Sequence, residues 1–226
     1  MLRDFLHIFF PDLCRICSAA LAHSEDFICT GCRLELPRID YRNGSLPGAE
    51  LRFSGKVNFK YTLPYLKFHK SGMAQKILHN IKYRGERGLA ELLGLWFGNH
   101  LVENGFAPDF DLMVPVPLHK KKERLRGYNQ SDCFARGMAR ATGIPYSERL
   151  LVRTVMNDTQ TDKSRMERWK NVEGIFSVAD ESTIIGKRIL LVDDVITTGA
   201  TMEACAIPMF TCGAREISAA AIAIAQ

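Results

Sequence analysis

The sequence predicts an α/β chain, a mostly parallel sheet flanked by helices, preceded by a small module built on four cysteines. Three observations carry this. From about residue 56 onward, short apolar runs alternate with segments of helical spacing. The run Ile189-Leu-Leu-Val192 is unbroken, as a strand buried on both faces requires. Cys14, Cys17, Cys29 and Cys32 fall within nineteen positions, while Cys133, Cys205 and Cys212 are scattered.

The length, 226 residues, suits one main domain and a small appendage. Hydrophobic residues make up 46% and charged residues 24%, which excludes a disordered chain or a fibre. Thirty Lys and Arg against 25 Asp and Glu leave a net +5, a balance that permits an anionic partner without demanding one. No stretch has the ~20 apolar residues of a membrane span. Phe5 to Phe10 is broken by His7 and runs into Pro11, and Ser218 to Ala225 is too short. Asp4 and His7 also interrupt any signal peptide, so no membrane insertion and a cytoplasmic location are expected.

The elements follow in order. The first four cysteines read C-x2-C, eleven residues, C-x2-C. Two residues between cysteines let both sulfurs face one ion, and two such knuckles supply the four thiolates of a closed tetrahedral zinc site. All four ligands are protein atoms, so the metal would be structural, contributing on the order of 10 kcal/mol to folding. His23, between the pairs, finds no vacancy and is expected at the surface. From Pro37 to about Gly55, glycines and prolines punctuate a linker. The expected organisation is residues 1–50 for module and linker and 51–226 for the main domain.

Lys56 to Phe68 fits one or two short strands around Pro64. Met73, Ile77 and Ile81 lie four apart, predicting a helix to Tyr83. Leu89 to Val102 repeats the pattern, and Asp111 to Val116 reads as a buried strand. His119, Lys120, Lys121, Lys122, Arg124 and Arg126 crowd one basic loop. Asn129 to Ala141 is a helix ended at Gly143. Arg149 to Arg153 is a candidate strand, Met202 to Phe210 a helix that Pro208 should bend, and Glu216 to Ile224 a closing strand. The scattered cysteines sit in helical patterns, as buried small hydrophobes.

The most informative segment runs from Ile189 to Thr201. A buried strand delivers Asp193 and Asp194 at its C-terminal end, the edge where ligands bind in open α/β sheets. Thr197-Thr-Gly-Ala-Thr201 then leads into a helix, so backbone N–H groups and hydroxyls form a phosphate cradle. Carboxylates repel phosphate and suit a diol. The local chemistry therefore asks for a ribose 5-phosphate, with its diol on the acids and its phosphate in the loop.

These thirteen positions resemble the phosphoribosylpyrophosphate-binding signature of type I phosphoribosyltransferases. Together with the tetracysteine start, Val114-Pro-Val-Pro-Leu-His119 and Arg124-Leu-Arg-Gly-Tyr-Asn-Gln130, they resemble the ComF family over nearly the whole chain. That family pairs a zinc-finger module with a phosphoribosyltransferase domain and is associated with DNA uptake in competence and with use of DNA as a nutrient. The resemblance implies a type I phosphoribosyltransferase fold with a sheet of about five strands. It implies phosphoribosylpyrophosphate bound with Mg²⁺ by Asp193, Asp194, Thr197, Thr198, Gly199, Ala200 and Thr201. Arg124 and Arg126 would face the pyrophosphate, whose developing charge cations stabilise, while the lysines lie on the outer surface. Asn129 serves as an N-cap or touches ligand. The polar stretch Arg153 to Asn171 implies a lid, with Gln160, Arg165 and Asn171 as the family's residues and Arg165 brought to the pyrophosphate on closure.

Thr197 and Thr198 stand where oxopurine enzymes carry an acid, so the loop offers no general base for a purine. A regulator of purine synthesis that keeps the fold without the chemistry also fits. Gly55-Lys56 and Gly186-Lys187 are not followed by Ser or Thr, so no P-loop is present. Three readings follow: a glycosyltransferase moving the phosphoribosyl group to a nitrogenous acceptor, a single-stranded-DNA-binding protein, and an adaptor whose zinc module docks a helicase-like competence protein. Tyr83 with Arg84, and Tyr128 with Arg126, are candidate base-stacking pairs for the second.

Overall fold

The computed structural model describes residues 11–41, 57–153 and 175–225. The expected domain boundary at 50/51 and Gln160, Arg165 and Asn171 of the expected lid lie outside them.

A short helix, α1 (Thr30–Leu34), belongs to the cysteine module. Then come β1 (Thr62–Phe68), α2 (Met73–Tyr83), α3 (Arg87–Glu103) and β2 (Leu112–Pro115). They are followed by α4 (Lys120–Arg126), α5 (Gln130–Thr142), β3 (Leu151–Arg153) and β4 (Phe176–Val178). The chain continues through β5 (Arg188–Ile196), α6 (Ala200–Thr211) and β6 (Glu216–Ala225). The main sheet has the order β1-β6-β5-β2, with every pair parallel. An isolated parallel bridge from Met113 to Tyr146 extends it past β2, so among the described residues the expected five strands are four and a bridge. β3 and β4 form a separate antiparallel pair.

β5 and β6 are buried along most of their length between neighbours, which explains their apolar runs. Pro64 sits inside β1, tolerated because β1 is the last strand of the sheet and a ladder donor is dispensable there. The outer side of β1 is covered by residues 37–39. Ile39 N donates to Tyr65 O at 2.9 Å, and Lys67 N donates to Pro37 O at 2.9 Å.

α3 and α5 lie in direct backbone contact. A Cβ on Gly94 would come 2.1 Å from Phe134 O, and one on Gly137 would come 2.1 Å from Glu91 O, so only glycine permits this approach. Phe97 and Phe134 stack beside the contact, 5.8 Å between centroids. Pro208 falls within α6, which runs unbroken to Thr211. Cys133 and Cys205 are buried, as expected, and Cys212 is half-buried.

One expected loop is a helix. Lys120 to Arg126 forms α4, because His119 Nδ1 accepts from Lys121 N at its start and Gly127 takes a left-handed φ of 76° at its end. β5 also continues two residues beyond the acid pair, to Ile196, instead of ending at it. No helix among the described residues is long and apolar enough to cross a membrane.

Candidate functional site

The four cysteines of the module come together as their spacing requires. Their sulfurs lie within 4.8 Å of one another, with Cys17 Sγ and Cys29 Sγ 3.7 Å apart. A tetrahedral zinc with bonds of about 2.3 Å has sulfur–sulfur edges of about 3.8 Å, so the donor set fits that ion. Amides reach the sulfurs as well: Cys29 N donates to Cys14 Sγ at 3.4 Å and Cys32 N to Cys29 Sγ at 3.5 Å. Burial pushes the Cys14 thiol up, but backbone N–H groups outweigh it and hold the thiol at about 6, whereas Cys32 is pushed up by burial and its neighbouring cysteines, so Cys14 is the readier of the two to ionise. His23 is exposed, as expected.

The module rests on the start of the main domain. Arg15 pairs with Glu86, Asn80 Nδ2 donates to Arg15 O at 3.0 Å, and Lys76 Nζ donates to Ile16 O at 3.0 Å. Lys76 and Asn80 both belong to α2. The Phe27 ring lies against Gly88 so closely that a Cβ there would come 2.5 Å from it.

The second site gathers on the far part of α2, the start of α5 and the end of β5. Asp194 is 6% exposed. Lys82 Nζ lies 3.0 Å from its Oδ2, and Gln130 Nε2 donates to the same oxygen. Two donors, one of them charged, make this buried carboxylate tolerable. Asp193 is half-buried. Ser131 Oγ donates to its Oδ1 at 3.0 Å, and Asp194 N donates to the same atom at 2.8 Å. Burial first, then the neighbouring Asp194, push Asp193 up to about 7. Asn129 caps α5, its Oδ1 accepting from Ser131 N at 3.1 Å and its Nδ2 donating to Val116 O at 2.9 Å.

After β5 the chain opens into the small-residue loop. Thr197, Thr198, Ala200 and Thr201 are exposed, while Gly199 is buried with a φ of 75°, a turn other residues resist. α6 starts at Ala200, whose N donates to Thr198 Oγ1 at 3.5 Å, so the exposed threonines gather at the positive end of a helix.

The basic helix α4 divides the arginines. Arg124 is exposed, whereas Arg126 is half-buried with its guanidinium 5.8 Å from the Tyr83 ring. The aromatic partners differ from those expected: Arg126, not Arg84, lies over Tyr83, and Arg87, not Arg126, lies over Tyr128 at 4.9 Å. The structure thus brings together Asp193, Asp194, Thr197 and the cradle. It leaves Arg124 facing solvent, and Arg165 lies outside the described residues. Sequence reasoning missed Lys82 and the acid contacts of Gln130 and Ser131. The signal for the last two was their place directly after a capped Asn129; nothing local marked Lys82.

Residues 134–225 match the model of the phosphoribosyl transferase domain. Competence protein F of Haemophilus influenzae is 26% identical over 221 residues, covering 92% of this chain and 95% of that protein. Competence protein ComFC of Bacillus subtilis is 32% identical over 143 residues, 58% of this chain and 51% of that protein. DNA utilization protein YhgH of Escherichia coli K12 is 31% identical over 107 residues, 47% of this chain and 46% of that protein. The match thus spans about half the length of the last two. Among solved structures, the allosteric regulatory enzyme of purine biosynthesis is 26% identical with a TM-score of 0.42, covering 58% of this chain and 25% of that one.

Proposed function

The chain is a homologue of competence protein F, ComFC and the DNA utilization proteins and carries a phosphoribosyl transferase domain of type I fold; from that premise we propose that it binds phosphoribosylpyrophosphate with Mg²⁺ and transfers the phosphoribosyl group. The observation that carries this is the continuity of β5, the acid pair and the exposed Thr197–Thr201 loop at the N-terminus of a 12-residue helix. Asp193 and Asp194 take the ribose diol, and the loop amides and hydroxyls of Thr197, Thr198, Gly199, Ala200 and Thr201 take the 5-phosphate. Asp193 is the more accessible acid, and its oxygen chemistry suits Mg²⁺. Arg124, Arg126 and Arg165 meet the pyrophosphate. The tetracysteine module holds structural zinc, and the boundary between module and catalytic domain falls at about residue 50.

Calorimetric titration of phosphoribosylpyrophosphate with Mg²⁺ tests the reading. Saturable binding, lost in the double variant Asp193→Ala, Asp194→Ala, is expected. No binding at millimolar ligand in a folded, zinc-loaded protein overturns it.

One observation supports a second role in DNA uptake or utilisation. Tyr83 is 70% exposed under Arg126, and Leu125 on the same basic helix is 88% exposed. An exposed ring beside clustered cations suits a single nucleic-acid strand, with bases on the ring and phosphates on the cations. Binding of a single-stranded oligonucleotide that weakens steeply with salt, and drops in Tyr83→Ala, is the expected result.

A further inference from the structure

Beside the acid pair lies a cavity of about 240 Å³ between α2 and the C-terminal ends of the strands. Phe68 of β1, Leu78, His79 and Tyr83 of α2 and Thr197 of the threonine loop are among its walls. Lys82, also on its wall, is engaged by Asp194 at 3.0 Å, which fixes the cavity next to the phosphoribosyl end of the site. His79 and Tyr83 stand one helical turn apart on α2, with ring centroids 5.1 Å from each other. Both are open to solvent, so a ligand could reach them directly.

The size and walls restrict what can sit here. The volume is below the roughly 300–1,000 Å³ of sites for drug-sized ligands, so a single or fused ring is the fitting occupant. Apolar and aromatic walls favour a planar face. The one lysine on the wall is already paired with a carboxylate, and Arg126, 5.8 Å from the Tyr83 ring, is assigned to the pyrophosphate, which leaves little to hold an acidic substituent. The threonine loop supplies no general base, whereas imidazole is the side chain suited to exchanging a proton near neutral pH.

Resting on the phosphoribosyl reading, we propose that this cavity is the acceptor site, that it takes an uncharged planar nitrogen heterocycle, and that His79 is its general base. In the step, a ring nitrogen forms a bond to C1 of the ribose while the C1–O bond to pyrophosphate breaks. Pyrophosphate leaves with the electron pair, and the N–H proton of the heterocycle passes to the His79 imidazole. Tyr83 gives the ring a stacking surface.

The test uses the full, zinc-loaded chain with Mg²⁺ and saturating phosphoribosylpyrophosphate. Pyrophosphate release is followed with adenine, hypoxanthine and uracil as uncharged rings that carry an N–H, and with orotate and quinolinate as anionic ones. At least one uncharged ring should raise release tenfold or more over the ring-free rate, with the anionic rings inert. In His79→Gln, kcat for that ring should fall on the order of 100-fold with its KM nearly unchanged. In Tyr83→Ala, KM should rise about tenfold, and Tyr83→Phe should restore it. Phosphoribosylpyrophosphate binding without acceleration by any uncharged ring, preference for an anionic ring, or an unchanged kcat in His79→Gln each overturns the acceptor assignment alone. Failure of wild type to bind phosphoribosylpyrophosphate, read by calorimetry in the same preparation, removes the phosphoribosyl reading itself.

Discussion

At the scale of single residues, Asp193 is a carboxyl kept at a cost to the fold. Its carboxyl is raised from an ordinary 3.8 to about 7, by burial first and by Asp194 second. The folded protein therefore holds a proton there that the unfolded chain has released over the window from about 4 to 7. Stability from this group falls as pH rises through that window, and the penalty is complete above it. Asp193→Asn removes the charge, so it should stabilise the protein by roughly a few kcal/mol at pH 8 and by nothing at pH 3. Denaturant midpoints at the two pH values check this, and equal shifts at both would sink it. The same variant should bind phosphoribosylpyrophosphate at least tenfold more weakly. The acid pair itself was legible in sequence because strand, acids and small residues are adjacent. Lys82 was not, because it meets Asp194 only when α2 packs beside β5. His79 carries no local mark either; its place comes from the cavity and not from its neighbours in the chain.

Among the elements, periodic apolar spacing was the reliable guide. The helix expected from Met73 to Tyr83 has those bounds, and Asn129 and Gly143 flank α5 as expected. α4 was missed because Lys-Lys-Lys-Glu-Arg-Leu-Arg has one apolar residue and reads as a charge run. Its caps, His119 and Gly127, were the available signal. The closeness of α3 and α5 was also hidden, since a glycine in a helix does not reveal what approaches it. Gly137→Ala should force these helices apart and cost about 1–3 kcal/mol as an overpacking change. A thermal melt reads the loss, and wild-type stability would refute the close contact. Asp111 ties β2 to β5 through Arg188, whose Nη2 and Nε donate to it at 2.8 and 3.1 Å and hold its carboxyl at about 2. That stabilisation is present above pH 4 and fades as pH falls toward 2. Both side chains are about one-third exposed, so Asp111→Ala should cost only about 1 kcal/mol at pH 7. A denaturation curve at pH 2 should show the difference shrinking.

Across the whole molecule, α2 joins two sites. Its Lys76 and Asn80 reach the carbonyls of Ile16 and Arg15 in the first cysteine knuckle, while its Lys82 reaches Asp194. Removing zinc with a chelator should therefore weaken phosphoribosylpyrophosphate binding at least several-fold as well as lower Tm, and re-adding zinc should restore both. Unchanged affinity in chelated, folded protein would show that the two ends are independent. The tetracysteine spacing announced the module, but its seat was not readable: Phe27 and Gly88, which meet closely, belong to stretches with no shared pattern. The strap of residues 37–39 has a further consequence. It follows the cysteine knuckles in the chain and occupies the free margin of β1, where Tyr65 O and Lys67 N would otherwise stand bare. Bare strand margins recruit other chains. Loss of the module's order would therefore turn a monomer-compatible sheet into one that pairs with copies of itself, and metal starvation would show first as aggregation.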